Sequence, residues 1–249
     1  NRDAKAEYAV THIPGAVFFG IDEISDQDSD LSHMLSAPAD FAVAARRLGV
    51  SRDSQVIVYD SHGLFSAARA WWNFRAMGHE KSSVLDGGLA KWIAEGRPVE
   101  TGWVTPPHGD FKAHPDPALV RDIEAVRQAL ASGETQVVDA RSAARFTGAA
   151  PEPRAGLRSG HMPGARNVPY GGLVTPSGEL AGADQVRAAF EAAGVDLTRP
   201  ITTTCGSGIS AALLALALAQ IGRPDVAVYD GSWSEWGARA DTVVVRGEA

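Results

Sequence analysis

Two short signals occur twice in this chain, in the same order and at nearly the same spacing. His12-Ile13-Pro14-Gly15-Ala16 returns 149 residues on as His161-Met162-Pro163-Gly164-Ala165. Asp86-Gly87-Gly88-Leu89-Ala90-Lys91-Trp92 returns 144 residues on as Asp230-Gly231-Ser232-Trp233-Ser234-Glu235-Trp236. Between these markers, Tyr59-Asp60-Ser61-His62-Gly63 stands at the place of Thr204-Cys205-Gly206-Ser207-Gly208. Ordered repetition over this distance indicates a duplicated domain, so whatever fold one half adopts binds the other half too. A chain of 249 residues has room for two domains of ordinary size.

Within each copy, short β-branched or apolar runs alternate with helical spacing. In the first half, Ala16 to Phe19 and Val56 to Tyr59 read as strands, the latter buried, and Ser83 to Leu85 as a third. Phe41 to Leu48, Ala67 to Met77 and Leu89 to Glu95 read as helices. This rhythm predicts an α/β fold, each domain a mainly parallel sheet flanked by helices. A Pro- and His-containing stretch, Pro106-Pro107-His108 to His114-Pro115-Asp116-Pro117, has no periodicity and the composition of a linker. The expected domains are therefore residues 1–107 and 119–249, joined by 108–118. The second domain opens on a strand, Thr135-Gln136-Val137-Val138-Asp139-Ala140-Arg141, whose counterpart would lie upstream of Asn1. The first domain is expected to lack that strand.

Only one cysteine is present, Cys205, which rules out an intramolecular disulfide framework and argues against a Cys-based structural zinc site. No metal or cofactor is expected, and a reducing compartment, the cytoplasm, is the simplest setting. The net charge of −7 argues against a nucleic-acid partner. No apolar run approaches the roughly 18 residues that cross a bilayer, so no membrane partner is expected.

The β-branched run Ile201-Thr202-Thr203-Thr204 leads into Cys205, followed by Gly206-Ser207-Gly208-Ile209-Ser210 and an Ala/Leu-rich stretch of high helix propensity. The sequence reads as strand, tight loop, helix, with the thiol where the strand ends. Backbone N–H groups of such a loop and the positive end of a helix dipole favour a thiolate, and glycines let several N–H groups converge on one atom. A phosphatase of the Cys-loop type needs Arg six positions after the cysteine, where this chain has Ala211. A thioredoxin-like reductase needs a second cysteine at position 208, which is glycine. A lone cysteine also reads as a buried, inert thiol; the Gly-Ser-Gly that follows Cys205 and the helix behind it favour an activated sulfur nucleophile.

A local excess of Arg141, Arg145, Arg154, Arg158 and Arg166 over Glu152 makes residues 141–170 a positive mouth in an acidic protein, suited to a small carboxylate. Arg141 reads as bonded within its own domain. The segment from Gly148 to Gly160, carrying Pro151 and Pro153, reads as a loop able to close on substrate. Trp71, Trp72, Trp92, Trp233 and Trp236 read as packing rather than a stacking surface for a ligand.

Taken together, Val138-Asp139-Ala140-Arg141, His161-Met162-Pro163-Gly164-Ala165, the Cys205 loop and Tyr229 to Trp236 resemble the tandem rhodanese family of sulfurtransferases, in both domains and in order. Within that family the loop Cys205-Gly206-Ser207-Gly208-Ile209-Ser210 is similar to the Cys-Gly-Ser-Gly-Val-Thr of enzymes acting on 3-mercaptopyruvate. Thiosulfate-preferring members resemble Cys-Arg-x-Gly-x-Thr, with a basic residue where this chain has Gly206. The resemblance implies a catalytic second domain and a non-catalytic first. It implies that Cys205 takes sulfur from 3-mercaptopyruvate as a persulfide, releases pyruvate, and passes the sulfur to a thiol such as thioredoxin or to cyanide.

The family's substrate-binding arginines fall on Arg145 and Arg154, and its serine-histidine-aspartate relay on Ser207, His33 and Asp22. Gly206, Gly208, Ile209 and Ser210 complete the expected substrate loop. Taken alone, Ser207 reads equally as a loop serine satisfying the backbone, His33 as a solvated surface histidine and Asp22 as a turn residue. The family often has Asp where this chain has Gly20. A thiosulfate:cyanide sulfurtransferase and a non-enzymatic rhodanese-type binding module are the alternatives.

Overall fold

The computed structural model describes residues 2–247, so Asn1 and residues 248–249, the outer ends of the two domain ranges, lie outside the described residues. The first half runs α1 (Ala4–Val10), α2 (Ile21–Ile24), α3 (Pro38–Arg47), β1 (Val56–Val58), α4 (Ala67–Ala76), β2 (Ser82–Val84) and α5 (Gly88–Ala94). The second runs β3 (Val120–Arg121), α6 (Ile123–Ser132), β4 (Gln136–Asp139), α7 (Ala143–Phe146), β5 (Arg166–Asn167), α8 (Ala183–Ala192), β6 (Ile201–Thr204), α9 (Ile209–Gln220), β7 (Ala227–Tyr229) and α10 (Ser232–Trp236).

The second domain's sheet is wholly parallel, in the order β3-β7-β6-β4-β5. Its central strand β6 is β-branched throughout and buried at all four positions, as befits a strand covered on both faces. Helix α6 shows how local chemistry sets the boundaries: Asp122 accepts from Ala125 N–H at 2.8 Å at one end, and Gly133 closes the other at φ 66°. Helix α9 is apolar on every side because it lies between its own sheet and α4 of the first domain. Leu213, Leu214 and Leu218 share one core cluster with Leu64, Trp71 and Trp72. The two helices that follow the two equivalent loops thus form the contact between the domains.

The duplication is visible bond by bond. Leu89 N–H donates to Asp60 O and Trp233 N–H to Cys205 O, both at 2.9 Å. His12 and His161 each start a bridge to the end of their own domain, through Glu100 and Val245, and each ring stacks on an aromatic, Tyr8 or Phe146. The repeated His-x-Pro-Gly-Ala signal is therefore a structural fastening.

Three details of the first domain differ from the sequence expectation. The apolar stretch Ala16 to Phe19 is not a strand. Its counterpart, β5, pairs with β4, and among the described residues the first domain holds no equivalent of β4. For the same reason β1 is a half-open strand rather than a buried one: Ile57 is 61% exposed, and a cleft of about 1310 Å³ opens between α1, residues 15–23 and β1. The Pro-rich stretch is irregular, as expected, but docked against the first domain. Phe111 is buried against Phe41 and Phe74, and His114 N–H donates to Met77 O at 2.9 Å.

Candidate active site at the domain junction

Cys205 follows the last residue of β6 and is 1% exposed, its loop held from behind by α10. Cys205 N–H donates to Ser232 Oγ at 3.2 Å, Trp233 N–H to Cys205 O at 2.9 Å, and Ser234 N–H and Oγ–H to Gly206 O at 2.8 and 2.7 Å. The bonds between α10 and the loop end on Cys205 and the Gly206 carbonyl, behind the N–H groups that follow. Among the described residues, the consecutive N–H groups of Gly206, Ser207, Gly208, Ile209 and Ser210 have no protein acceptor. They form a nest at the N-terminus of the 12-residue α9, built to receive negative charge. Gly208 makes the bend at φ 81°, the left-handed conformation that glycine accepts without strain.

The equivalent loop of the first domain shows what such a nest holds. Asp60 takes the place of the cysteine, and its carboxylate accepts from the N–H groups of His62, Leu64, Ser66 and Ala67 at 2.8 to 3.1 Å. That loop is filled by its own anion and has no room for another. Sequence comparison of the two halves located Asp60 but carried no sign of this self-filling.

The structure brings together the residues expected across the two domains. His33 Nδ1 lies 2.9 Å from Ser207 Oγ, and His33 Nε2 lies 3.0 Å from Asp22 Oδ1. A carboxylate only accepts, so the ring proton sits on Nε2 and Nδ1 accepts from the Ser207 hydroxyl. Burial pushes the His33 imidazole below its ordinary range. Asp22 opposes this, and the cations Arg154 and Arg69 reinforce it. The ring is thereby held neutral at neutral pH. Taken alone, His33 reads as a solvated histidine; its burial at the domain junction carries no mark in the local sequence. Asp22 itself is exposed, at the start of α2. The space a side chain would need at Gly20 is occupied by the Glu23 carboxylate, which pairs with Lys5.

Arg145 and Arg154 converge on the bare face of Gly206. A Cβ at that position would stand 3.2 Å from Arg145 Nη2 and 3.7 Å from Arg154 Nη1. The two differ in how they are held. Buried Glu152 accepts from Arg145 Nη2 at 2.5 Å and from Arg141 Nη1 at 2.7 Å. Arg154 has no carboxylate partner among the described residues. Arg141 is fully buried, bonded to Asp139 and over the Trp233 ring at 4.0 Å, so it is a structural cation. Arg158 is structural too, donating to the carbonyls of Trp236, Gly237 and Thr242. Of the positive mouth, two guanidinium groups face the loop.

Ile209 and Ser210 form the first turn of α9, both largely buried. Among the tryptophans, Trp71, Trp72, Trp233 and Trp236 are buried in the core, while Trp92 is half-buried. The residues the sequence missed are Arg69, fully buried at the junction, and Ser232, whose backbone sits at φ 49°. The α10 motif was the available signal for Ser232. The available signal for Arg69 was a charge set among Ala67, Ala68, Ala70, Trp71 and Trp72 in the first turns of α4.

Residues 2–95 and 122–239 match the Rhodanese-like domain family. The chain is 50% identical over 98% of its length to the 3-mercaptopyruvate sulfurtransferase of Escherichia coli (strain K12), covering 86% of that protein. It is 46% identical to the thiosulfate sulfurtransferase of Gallus gallus, over 96% of this chain and 83% of that one. The crystal structure of SseA from Escherichia coli, described as a 3-mercaptopyruvate sulfotransferase, superposes with a TM-score of 0.85 at 47% identity, covering 93% of this chain and 87% of that one.

Proposed function

Because the chain belongs to the rhodanese family, with one such domain in each half, we propose that it is a 3-mercaptopyruvate sulfurtransferase whose second domain carries the chemistry. The observation that carries this reading is the pairing of an anion-receiving loop around Cys205 with two guanidinium groups over Gly206. The arginines take the carboxylate of the donor, and the loop takes the sulfur. Gly206 adds no charge of its own and leaves the arginines room to approach.

The Cys205 thiolate attacks the sulfur of 3-mercaptopyruvate. An S–S bond forms, the C–S bond breaks, and its electron pair leaves on the enolate of pyruvate. The proton of the donor's thiol balances the enolate, which collapses to pyruvate. Ser207, whose hydroxyl is shared with neutral His33, moves that proton, and Asp22 keeps the imidazole proton on Nε2. The nest of N–H groups holds the negative charge of the resulting persulfide. An external thiol such as thioredoxin, or cyanide, then attacks the outer sulfur and returns Cys205 as a thiolate. No helix of the described residues is long and apolar enough to cross a membrane, and a free catalytic thiol is suited to a reducing setting such as the cytoplasm.

Steady-state rates with 3-mercaptopyruvate and thiosulfate, measured side by side with cyanide as acceptor, test the donor. A higher kcat/KM for 3-mercaptopyruvate is expected. A clear thiosulfate preference would replace this reading with the thiosulfate:cyanide activity, to which the likeness to the chicken protein gives a footing.

A further inference from the structure

The relay residue His33 sits in a conformation that its own chain segment does not favour. Its φ is 67°, in the left-handed region that non-glycine residues occupy only when the surroundings compel it. The surroundings are specific. Arg69 Nη2 donates to the His33 carbonyl and to Asp230 Oδ1, each at 2.6 Å, and Asp230 Oδ2 accepts from Leu35 N–H at 2.7 Å. One guanidinium from α4 and one carboxylate from the second domain thus grip residues 33–35 at both ends. Arg69 is wholly buried, stacked on Trp72 at 4.4 Å, with Nη1 under the bend of the cysteine loop at Gly208.

The duplication supplies an internal control. In the mirror position, Leu180 N–H donates to Asp86 Oδ1, also at 2.7 Å, so the bond from arm to aspartate belongs to the architecture of both copies. The rest is not shared. Gly178, at φ 82°, stands where the first domain has His33. The matching bonds that close the two helices, His79 N–H to Phe74 O and Arg223 N–H to Leu218 O, put Leu213 of α9 where α4 has Arg69. The arm that serves the filled Asp60 loop uses glycine and needs no clamp. The arm that serves Cys205 carries a histidine in a glycine's conformation and an arginine that fixes it.

We propose that Arg69 and Asp230 are positioning residues that clamp the His33 backbone so that its imidazole meets Ser207. This rests on the reading of Ser207, His33 and Asp22 as a relay. The test is a double-mutant cycle of His33→Ala with Arg69→Lys, which keeps the charge but loses the planar fork, read as kcat and KM for 3-mercaptopyruvate. His33→Ala alone should lower kcat at least tenfold. Arg69→Lys should lower kcat by a similar factor with KM within about twofold, and adding His33→Ala to it should cost less than about threefold more. If Arg69→Lys does not fold, Asp230→Asn enters the same cycle with the same expectation. Unchanged kcat in the folded clamp variant, or factors that multiply in full, would overturn the clamp. A wild-type protein inactive on 3-mercaptopyruvate overturns the functional reading instead. An active wild type with no loss in His33→Ala overturns the relay, and the clamp with it.

Discussion

At the scale of single residues, the site separates two arginines that look equivalent in sequence. Arg145 is tied to buried Glu152, whereas Arg154 has no carboxylate partner among the described residues. Each faces Gly206, and a charge-assisted hydrogen bond of this kind contributes about 1.5–3 kcal/mol. Arg154→Ala should therefore raise KM for the carboxylate donor by about tenfold or more. It should also move the acid limb of kcat/KM, which reports the free enzyme, upward in pH, since Arg154 helps to keep His33 below its ordinary range. Asp22→Asn removes a group that pushes the other way, so its acid limb should move to lower pH. The sign follows from the proposed relay, in which neutral His33 is the working form: the limb tracks the pH at which His33 takes up a proton. pH profiles of the two variants displaced in the same direction would contradict this assignment of charges.

At the scale of elements, α10 acts as a bracket for the cysteine loop, and its signature was legible in the sequence as the second Asp-Gly repeat. What it does was not legible, because the bonds from Ser232 and Ser234 join residues 27 and 28 positions apart. Ser232 has φ 49°, and its counterpart in the first domain, Gly88, has φ 53°. The serine keeps a glycine's backbone for the sake of its hydroxyl, which accepts from Cys205 N–H and donates to Tyr229 O. Ser232→Ala loses the hydroxyl, keeps the strain and leaves a buried N–H unpaired, at a cost of about 1–3 kcal/mol. Ser232→Gly loses the same hydroxyl but relaxes the backbone. Denaturant midpoints should rank wild type, then Ser232→Gly, then Ser232→Ala; Ala above Gly would remove the backbone strain from the account. The strand and helix order of both domains was legible for a related reason, since β-branched runs and helical spacing are local signals. Ala16 to Phe19 misled because a strand needs a neighbour, and local sequence does not report one.

At the scale of the molecule, the site exists only because two copies of one domain face each other through α4 and α9, each reaching an arm into the other's loop. Among the positions at which the copies differ, three shape this site: Asp60 against Cys205, Gly178 against His33, and Leu213 against Arg69. Those differences were on view in the sequence, but their meaning depends on which residues meet across the junction. His33 and Ser207 are 174 positions apart, and their meeting was available only through family resemblance. These 249 residues hold a single cysteine, so a persulfide formed on it has no second thiol among them to discharge it, and an external acceptor is expected to take the sulfur. Mass spectrometry of the intact protein after brief exposure to 3-mercaptopyruvate, without acceptor, reads this directly. A gain of one sulfur atom on Cys205 is expected, lost on adding a thiol or cyanide and absent in Cys205→Ser; the same gain in Cys205→Ser, or none in the wild type while pyruvate is released, would contradict sulfur transfer through Cys205.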